Sequence, residues 1–358
     1  MKINILLNFL EDRRISMNNV GQLTADCLKK NSNKHVINSF LPEIGFLEKF
    51  IPSAVWKMRV ARYFTYPKIV KNLEHADIAH IIDHQYAHLV HNINSKVKII
   101  TVHDLIPIVF SKSLNKNPYL VRHSLNHLKH FDKVIAVSHH TKADILKYTD
   151  CPKEKIDVLH FPVEEFFNST SIDHATICKK FQLPENKKKI LFYGRGFYKN
   201  LDTSLKVFKN LVDKDIPVVL VKLGGRQDME IEDLYKDKII EIANLTRNEV
   251  AEICKIADVL LFPSIYEGYG LPPLEAMKSG LPVVCSNSAS LPEIVGDAAL
   301  TAHYSDVNFF TDAICKLLTD QEFYNQKKQE GIKRAEIFNV DTYTDNLLQL
   351  YNDALYNN

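Results

Sequence analysis

The sequence predicts an α/β protein with two doubly wound halves that face each other across a cleft. The chain has 358 residues, which is about the length of two domains rather than of one core. Its apolar fraction of 46% and charged fraction of 25% are those of a globular protein. Short apolar runs alternate with amphipathic stretches throughout, and this alternation is typical of βα units and a parallel sheet.

Apolar runs in the first half predict six strands separated by helices. The strands are expected at 3–7, 35–40, 77–82, 97–102, 133–137 and 156–160. The helices are expected near 19–31, 53–73, 116–131 and 140–149. Ser138 stands just before the last of these helices, where its hydroxyl is suited to capping the first turn.

The same pattern restarts at residue 188. Strands are expected at 188–194, 217–225, 238–243, 257–264 and 281–286, and helices near 200–213, 247–256, 272–280, 306–319 and 321–337. Thr246 and Glu249 have the spacing of a capping box. The stretch 162–187 lacks strand periodicity and is predicted to be a linker. The predicted division is therefore a domain over 1–165, a domain over 166–340, and a C-terminal helix over 341–358 that could pack back on the first domain.

Charge and composition exclude several classes of protein. No apolar run approaches the ~18 residues of a membrane span, and the amino terminus turns acidic at once instead of continuing as a signal peptide. The six cysteines form no CxxC pair, which predicts reduced thiols in a cytoplasmic protein. Residues 1–165 hold 23 Lys and Arg against 16 Asp and Glu. This excess fits either a surface partner or simple solubility, and no nucleic-acid-binding motif accompanies it.

The stretch SIYEGYGLPPLEAMKSGLPVV (264–284) places a glycine-rich turn between a strand and a helix. Backbone N–H groups ahead of a helix N-terminus favour an anion, and glycine allows a phosphate to approach closely. Glu275, expected in the first helical turn, could accept both hydroxyls of a ribose, and Glu267 could reach a sugar beyond the phosphates. The same stretch also fits a tight turn in which Glu275 stabilises a helix start. The amides expected at the anion belong to Gly268, Tyr269, Gly270 and Leu271.

A second candidate anion site follows the first strand of the second half. Gly194 and Arg195 are followed by Lys199 at a predicted helix start, and Gly224 ends the next strand. Arginine grips phosphate oxygens bidentately and lysine adds a point charge. The glycine spacing is not a dinucleotide fingerprint. A solvent-exposed turn between strand and helix explains these residues equally well.

Polar residues also follow the predicted strands of the first half. His103 and Asp104 end one strand, and His103 could donate to a sugar hydroxyl or to a developing charge. Asp83 ends another strand, and Gly21 is the glycine available after the first strand. A packed loop histidine and turn aspartates are the alternative interpretation. The spacing of His80, His84 and His88 does not predict a metal site, because His80 falls in a strand.

The segment 46–71 interleaves aromatic and basic residues in a predicted helix. Such a helix favours contact with an anionic membrane surface, although an ordinary core helix with a solvated face is at least as good an interpretation. The residues concerned are Phe50, Trp56, Tyr63, Phe64 and Tyr66 with Lys49, Lys57, Arg59, Arg62, Lys68 and Lys71.

Taken together, these motifs resemble those of the retaining nucleotide-sugar glycosyltransferases of family 4, which have the GT-B fold of two Rossmann-like domains. The resemblance is densest over 188–300, in FYGRGFYKNL and in the E-x7-E pair followed by SLPEIVGDAA. HDLIP and VIAVSHHTK extend it into the first half. HDLIP together with SNSASLPEIVGDAA looks most like the bacterial mannosyltransferases of surface-polysaccharide assembly.

The resemblance implies roles for individual residues. Glu275 would hold the ribose, Glu267 and the amides after it the sugar and phosphate, Arg195 and Lys199 the diphosphate, and His103 would lie at the reacting sugar. Gly194 and Gly224 would belong to the donor site, and Asp104, Asp83 and Gly21 to the acceptor side. Two features depart from the family: the loop after the first strand has a single glycine, and the spacing from Gly194 to Lys199 is one residue short.

The predicted function is transfer of a hexose, mannose-like by the resemblance, from a GDP or UDP sugar to a saccharide or lipid-linked acceptor. By the resemblance, the anomeric configuration is retained and neither a metal nor a cofactor takes part. The expected place is the cytoplasm, or the inner face of the membrane if the basic helix docks there. Two alternatives remain: a GT-B epimerase or phosphorylase, and a non-catalytic protein that binds nucleotide-sugar or glycan.

Overall fold

The computed structural model describes residues 1–12, 15–30, 35–113, 119–168, 173–225 and 232–356. The chain divides into two compact units. The first contains Met1–Phe161 and Val340–Asn358, and the second contains Pro162–Asn339. Each unit is built around a six-stranded sheet whose paired strands are all parallel.

The sheet of the first unit has the strand order β2-β1-β3-β4-β5-β6. Its strands are β1 (Lys2–Leu6), β2 (Val36–Phe40), β3 (Ala76–Ile81), β4 (Ser95–Val102), β5 (Lys133–Ala136) and β6 (Ile156–Val158). The central strands β3 and β4 are largely buried, as strands covered by helices on both faces must be. The strands predicted in this half are therefore present.

Except for α4, which was not predicted, the helices of the first unit lie in the predicted regions, and two of the predicted helices are interrupted. They are α1 (Ile15–Lys30), α2 (Ala54–Val60), α3 (Tyr66–Lys71), α4 (Ile106–Val109), α5 (Tyr119–Leu125) and α6 (His139–Tyr148). The helix predicted over 53–73 contains a π turn at Ala61–Thr65, because Pro67 has no N–H to donate to the carbonyl four residues earlier. Ser138 caps α6 by accepting from the N–H of Thr141 at 3.0 Å. Part of the helix predicted over 116–131 lies outside the described residues.

The sheet of the second unit has the order β12-β11-β10-β7-β8-β9. Its strands are β7 (Lys188–Tyr193), β8 (Val218–Leu223), β9 (Ile239–Ile242), β10 (Val259–Phe262), β11 (Val283–Ser286) and β12 (Leu300–Ala302). Its helices are α7 (His174–Lys180), α8 (Leu201–Asp213), α9 (Asp233–Lys236), α10 (Arg247–Ile256), α11 (Leu271–Lys278), α12 (Leu291–Val295), α13 (Val307–Thr319) and α14 (Gln321–Ala335). β12 and α12 are too short for the periodicity to have predicted them.

The segment 162–187 is not a linker. It contains a 3-10 turn at Glu165–Asn168 and the helix α7. The N–H of Val163 donates to the carbonyl of Phe338 at 3.0 Å, and Ile177 and Cys178 are buried. The division between the units therefore falls between Phe161 and Pro162, because these residues pack within the second unit. The absence of strand periodicity reflected helix and turn, not an unstructured connection.

The last helix, α15 (Val340–Tyr356), belongs to the first unit. The hydroxyl of Tyr343 lies 2.9 Å from Oγ1 of Thr24 on α1. The hydroxyl of Tyr351 lies 2.7 Å from Nδ1 of His80, whose Nε2 lies 2.7 Å from Oγ1 of Thr101. His80 thus joins β3, β4 and α15 through one buried imidazole.

We expect the stability of the protein to fall as the pH is lowered below about 6.5, and His80 to cause part of that loss. Burial, together with the neighbouring His103, lowers the pKa of His80 from 6.5 to about 3. Between these values the unfolded chain binds a proton that the native chain does not, so each pH unit lost removes about 1.4 kcal/mol. Urea unfolding at pH 7 and pH 5 should therefore show a smaller loss for His80→Gln than for wild type.

The matched control for this measurement is His303→Gln, which changes an exposed histidine of the second unit. It should lose as much stability between the two pH values as wild type does. If His80→Gln also loses as much as wild type, His80 does not titrate as its burial implies.

Candidate functional site

Three loops of the second unit meet at the carboxyl edge of its sheet. β10, β7 and β8 are neighbours in that order, and they end at Phe262, Tyr193 and Leu223. The loops that leave them begin within one or two residues of the predicted site positions Gly194 and Gly224. Ligands of open parallel sheets bind at this edge. The loops that carry the predicted donor-site residues therefore all leave the sheet where a ligand is expected.

Backbone contacts hold these loops together. The N–H of Ile265 donates to the carbonyl of Tyr198 at 2.7 Å. The side-chain amide of Asn200 donates to the carbonyls of Pro263 and Tyr304 at 2.9 and 2.8 Å. Asn200 is the residue that precedes α8 and has the left-handed φ of 61°. The loop after β7 is therefore fastened to the loop after β10.

Glycine is required at Gly194 and Gly224 by both conformation and space. Their φ angles are +129° and +107°, a region that other residues rarely adopt. A Cβ on Gly224 would lie 3.3 Å from the Gly194 backbone, and a Cβ on Gly194 would lie 2.8 Å from Cγ of Lys199. The stem of Lys199 thus lies directly over Gly194, and any larger residue there would displace the lysine.

Lys199 and Glu267 form an ion pair at this edge. Nζ of Lys199 lies 2.7 Å from Oε1 of Glu267, and the two side chains are only 14% and 10% exposed. Nζ also lies 5.0 Å from the centre of the Phe262 ring. An ammonium group has three donors, so the pairing with Glu267 leaves two for another acceptor. The structure brings together two residues that are 68 positions apart in the sequence.

Arg195 is an exposed residue that lies beside the turn after β8. Its Nη1 is 3.9 Å from the place a Cβ on Gly225 would occupy, and its side chain is exposed. Within the described part of the chain, no hydrogen bond or ion pair holds its guanidinium. Arg195 is therefore placed where a bidentate donor could take a phosphate without first breaking a protein contact.

The loop from Glu267 to Gly270 is oriented by Ser290. The hydroxyl of Ser290 lies 3.0 Å from the carbonyl oxygen of Glu267 and 2.6 Å from that of Tyr269. Because the carbonyl and the next N–H point in opposite directions across a trans peptide, the N–H groups of Gly268 and Gly270 point away from Ser290. Gly270, whose φ is +111°, directly precedes α11. The helix begins at Leu271 and has Pro272 in its first turn. Ser290 was not predicted as a site residue.

Glu275 lies in the second turn of α11 and not in the first, because the helix begins at Leu271. Its carboxylate is buried and accepts from Nη1 of Arg247 through Oε1. Oε2 is also buried and has no hydrogen-bond partner among the residues that the structure describes. Burial raises the pKa of Glu275, and Arg247 opposes this shift. A buried carboxylate oxygen without a donor is costly, so this atom calls for a partner from outside the chain.

Arg247 and Glu164 set the orientation of that carboxylate, and the sequence interpretation missed both. Arg247 is the first residue of α10. It lies between Thr246 and Glu249, whose predicted capping box is present. Its Nε and Nη2 donate to the two oxygens of Glu164 at 3.1 and 2.6 Å. Burial lowers the pKa of Arg247, but Glu275 and Glu164 outweigh it and the pKa is raised. The guanidinium therefore stays charged and can hold Glu275 in one orientation.

His103 follows β4 in the first unit, as predicted. The ring N–H that was expected to donate to a substrate is already used within the protein. Its Nε2 donates to the carbonyl of Ile82 at 2.7 Å, and its ring stacks on Phe161 at 5.5 Å. Burial lowers the pKa of His103 although Asp83 opposes the shift. The neutral ring then carries its proton on Nε2, and Nδ1 is an acceptor.

Asp83 and Asp104 have structural partners at the same edge. Asp83 is buried and accepts from the side-chain amide of Asn8 at 2.8 Å and from the N–H of Gln85 at 3.0 Å. Asp104 accepts from the N–H of Ile106 at 3.0 Å. Asp83 caps the 3-10 segment His84–His91, and Asp104 accepts from the first N–H of α4; both are turn aspartates, which is the alternative that the sequence left open.

Gly21 does not lie in a loop after β1. It is inside α1, where a Cβ would lie 2.3 Å from Cδ1 of Ile82 and 2.7 Å from Cδ2 of Leu7. Its lack of a side chain allows α1 to approach the sheet closely. Gly21 is therefore a packing residue of α1 and not, as expected, a residue of the loop after β1.

Two sequence profiles match most of the chain. The profile described as "Glycosyl transferases group 1" matches residues 173–334, and "Glycosyltransferase Family 4" matches residues 41–165. The first covers the site residues of the second unit except Glu164, and the second covers Glu164 and His103.

Curated relatives are similar over part of their length. The chain is 28% identical to a serotype-specific mannosyltransferase of Escherichia coli over 254 residues, 66% of this chain and 31% of the relative. It is 26% identical to an O-antigen chain mannosyltransferase of Escherichia coli over 227 residues, 61% of this chain and 60% of the relative. The chain thus spans about a third of the first relative and three fifths of the second.

Solved structures are similar over the full length. Sucrose-phosphate synthase of Thermosynechococcus elongatus has a TM-score of 0.74 at 16% identity, with both chains fully covered. The HepE protein of Anabaena, solved in complex with UDP and glucose, has a TM-score of 0.73 at 14% identity, with 99% of this chain and all of that chain covered.

Fold and profiles together define a protein of the glycosyltransferase class with the GT-B fold. The chain belongs to the glycosyltransferases of family 4. The predicted fold class and family are confirmed. In the described part of the chain, no helix is both long and apolar enough to span a bilayer.

Proposed function

We propose that the protein transfers a mannose-like hexose from a nucleoside-diphosphate sugar to a saccharide or lipid-linked acceptor of a surface polysaccharide, with retention of configuration. The two mannosyltransferase relatives support the sugar and the pathway class, and the HepE complex with UDP and glucose supports the donor class. The observation that carries the proposed donor site is the buried, unpartnered Oε2 of Glu275. A ribose diol supplies the donors that this atom lacks.

The donor is proposed to lie along the carboxyl edge of the second sheet. Glu275 takes the ribose through Oε2, while its Oε1 accepts from Arg247. The diphosphate lies between the loops after β7 and β10, where Arg195 and Lys199 supply positive charge. Glu267, paired with Lys199, lies beyond the phosphates and takes the sugar. Each group is thereby matched by a residue of opposite charge or complementary hydrogen bonding.

The proposed reaction needs no group beyond the two substrates. The bond from the sugar C1 to the diphosphate oxygen breaks, and a bond from C1 to the acceptor oxygen forms on the same face. The acceptor proton passes to the leaving diphosphate, which gains negative charge as the bond breaks. Arg195 and Lys199 stabilise that charge, and stabilisation that grows towards the transition state is what accelerates a reaction.

His103 has a different proposed role from the donor role first expected. Because its Nε2 is committed to Ile82, neutral His103 offers Nδ1 as an acceptor. A sugar hydroxyl that donates to Nδ1 would be oriented by it. His103 is thus a binding residue for a hydroxyl and not a source of a proton at neutral pH.

The function is tested by screening donors and then adding acceptor. Thermal unfolding with UDP, GDP and ADP sugars should reveal one preferred base, because a ligand at 100 times its dissociation constant adds ~2.7 kcal/mol to stability. With that donor, release of nucleoside diphosphate should require a saccharide or lipid-linked acceptor. Turnover without an acceptor would instead indicate an epimerase, phosphate-dependent turnover a phosphorylase, and binding without turnover a non-catalytic protein.

A surface of the first unit supports the proposal of a lipid-linked acceptor. We define the aromatic–basic surface as the exposed side chains of Phe46, Phe50, Val55, Trp56 and Phe64 with Lys49, Arg59 and Lys68, together with the half-buried Lys57. α2 within it contains no buried residue, so it is not a core helix. Arg62 and Tyr66 do not belong to this surface, because Arg62 pairs with Asp12 at 2.8 Å and Tyr66 is buried.

The proposed occupant of the aromatic–basic surface is an anionic bilayer. Exposed aromatic rings next to lysine and arginine suit the headgroup region, and each basic group near an anionic surface contributes ~1 kcal/mol. Lys57→Glu with Arg59→Glu should therefore lower the bound fraction in sedimentation with anionic vesicles about tenfold or more. Added salt should weaken wild-type binding in the same way.

Lys206→Glu with Lys236→Glu makes the same charge change on exposed lysines of the second unit and is the matched control. It should sediment with anionic vesicles nearly as wild type does. Equal losses for both double variants would mean that net charge alone attracts the protein, and no wild-type binding at low salt would remove the membrane from the proposal.

A further inference from the structure

A cluster of histidines lies at the amino-terminal edge of β4 and β5 in the first sheet, opposite the edge at which His103 follows β4. His91, His127 and His130 have ring nitrogens that all lie within 4.8 Å of one another. Nε2 of His91 and Nδ1 of His127 are 3.1 Å apart. The ring centre of His91 lies 5.1 Å from that of His127 and 5.1 Å from that of His130. Three imidazoles from two separate segments therefore converge at one point.

Local structure explains why these side chains converge. His91 ends a 3-10 segment, His84–His91. His127 directly precedes the 3-10 turn Leu128–His130, and His130 is its last residue. In a 3-10 turn, side chains three residues apart lie on the same side, so His127 and His130 project together. Leu89 and Leu128 are fully buried and fix the two segments to the core.

The cluster has the chemistry of a transition-metal site. Imidazole nitrogen is the preferred ligand of Zn²⁺ and similar ions, which it binds at ~2.0–2.1 Å in tetrahedral sites. Ligand nitrogens in such a site are roughly 3.3 Å apart, close to the 3.1 Å between His91 and His127. His91 and His130 are exposed, so rotation of their rings can close the remaining separation.

The site lies away from the reaction edge of its own sheet. His91 precedes β4 by four positions and His130 precedes β5 by three, and β4 pairs with β5. His103 follows the opposite end of β4. At ~3.3 Å per residue, a strand of this length separates the two edges by roughly 25 Å. An ion here would join the segments that carry His91 and His127, and would not take part in the transfer.

We propose that His91, His127 and His130 form a binding site for a divalent first-row transition ion of the Zn²⁺ type, with a fourth position open to water. The site fastens the segment His84–His91 to the turn Leu128–His130. It is independent of the proposed sugar transfer, which needs no metal.

The test is calorimetric titration of the full-length, tag-free protein with Zn²⁺, supported by the visible spectrum of bound Co²⁺. Wild type should bind one equivalent with a dissociation constant in the micromolar range or tighter, and Co²⁺ should show the absorption of a four-coordinate ion. His91→Gln and His130→Gln, both at exposed positions, should each weaken binding about tenfold or more, as loss of even an outer-shell partner does.

His139→Gln is the matched control, since His139 lies 6.1 Å from His160 in another histidine pair and should bind Zn²⁺ as wild type does. A chelator should leave sugar transfer unchanged. Binding that is unaffected by His91→Gln and His130→Gln, or that is lost equally with His139→Gln, would overturn the assignment. Loss of transfer on chelation would overturn the independence of the site, without bearing on whether the protein transfers sugar.

Discussion

Glu275→Ala is expected to lower the affinity for nucleoside diphosphate about 10²–10⁴-fold. The carboxylate is held by Arg247 through one oxygen, and the other is buried with no partner in the described part of the chain. Two hydrogen bonds from a ribose diol to a charged acceptor are each worth ~1.5–3 kcal/mol. Donor binding and transfer should fall together, because the ribose is bound equally in the ground state and the transition state.

A 2′,3′-dideoxy nucleoside diphosphate separates ribose binding from folding. It should bind wild type as weakly as the ordinary nucleotide binds Glu275→Ala, and it should bind both proteins nearly equally. Glu165→Gln is the matched control, because it removes a carboxylate that pairs with Lys278 on α11 at 3.1 Å but is itself exposed. If Glu275→Ala weakens the dideoxy ligand as much as the ordinary one, Glu275 supports the fold and does not hold the ribose.

Lys199→Ala is expected to lower the rate of transfer about 10²–10³-fold, the cost typical of removing one preorganised donor from a developing anion. It also removes the partner of Glu267, whose side chain is only 10% exposed. Binding of nucleoside diphosphate should weaken while binding of the bare nucleoside should not, since the proposed ligand of Lys199 is phosphate. Arg195→Ala should show the same selectivity.

Lys206→Ala is the matched control. Lys206 lies on α8, the helix that follows the loop carrying Lys199, is exposed and pairs with Asp202. The variant should leave transfer and both affinities unchanged. If Lys199→Ala weakens nucleoside and nucleoside diphosphate equally, its ion pair with Glu267 is structural and the diphosphate lies elsewhere.

Much of the architecture follows from the sequence because strands and glycine-rich turns leave strong local signals. The strands β3, β4, β7 and β8 have at least six residues each and are rich in apolar side chains, and the predicted capping box at Thr246 and Glu249 is present. The short elements β12 and α12 have three and five residues, which is too few for a period to show. The break at Ala61–Thr65 depends on one proline, whose effect on a helix is local.

The candidate site was less predictable because its contacts join distant parts of the chain. Lys199 and Glu267 were each expected at the donor, but their pairing across 68 positions appears only in the fold. Arg247 carried one weak signal, its position just after Thr246, and Glu164 lay in the segment interpreted as a linker. Which ring nitrogen of His103 is available to a substrate depends on the hydrogen bond from Nε2 to the carbonyl of Ile82. No sequence pattern specifies that bond.

The most direct test is the configuration of the product formed from the preferred donor, labelled with ¹³C at C1 of the hexose, and a saccharide acceptor. The one-bond C1–H1 coupling measured by NMR reports whether the new linkage has the configuration of the donor. We predict an acceptor-dependent product with the anomeric configuration of the donor, formed by wild type and reduced at least about 10²-fold by Glu275→Ala at a donor concentration well below its dissociation constant from that variant. A product of the opposite configuration, or a product of the donor's configuration formed equally well by Glu275→Ala, would contradict the proposed retaining transfer at this site.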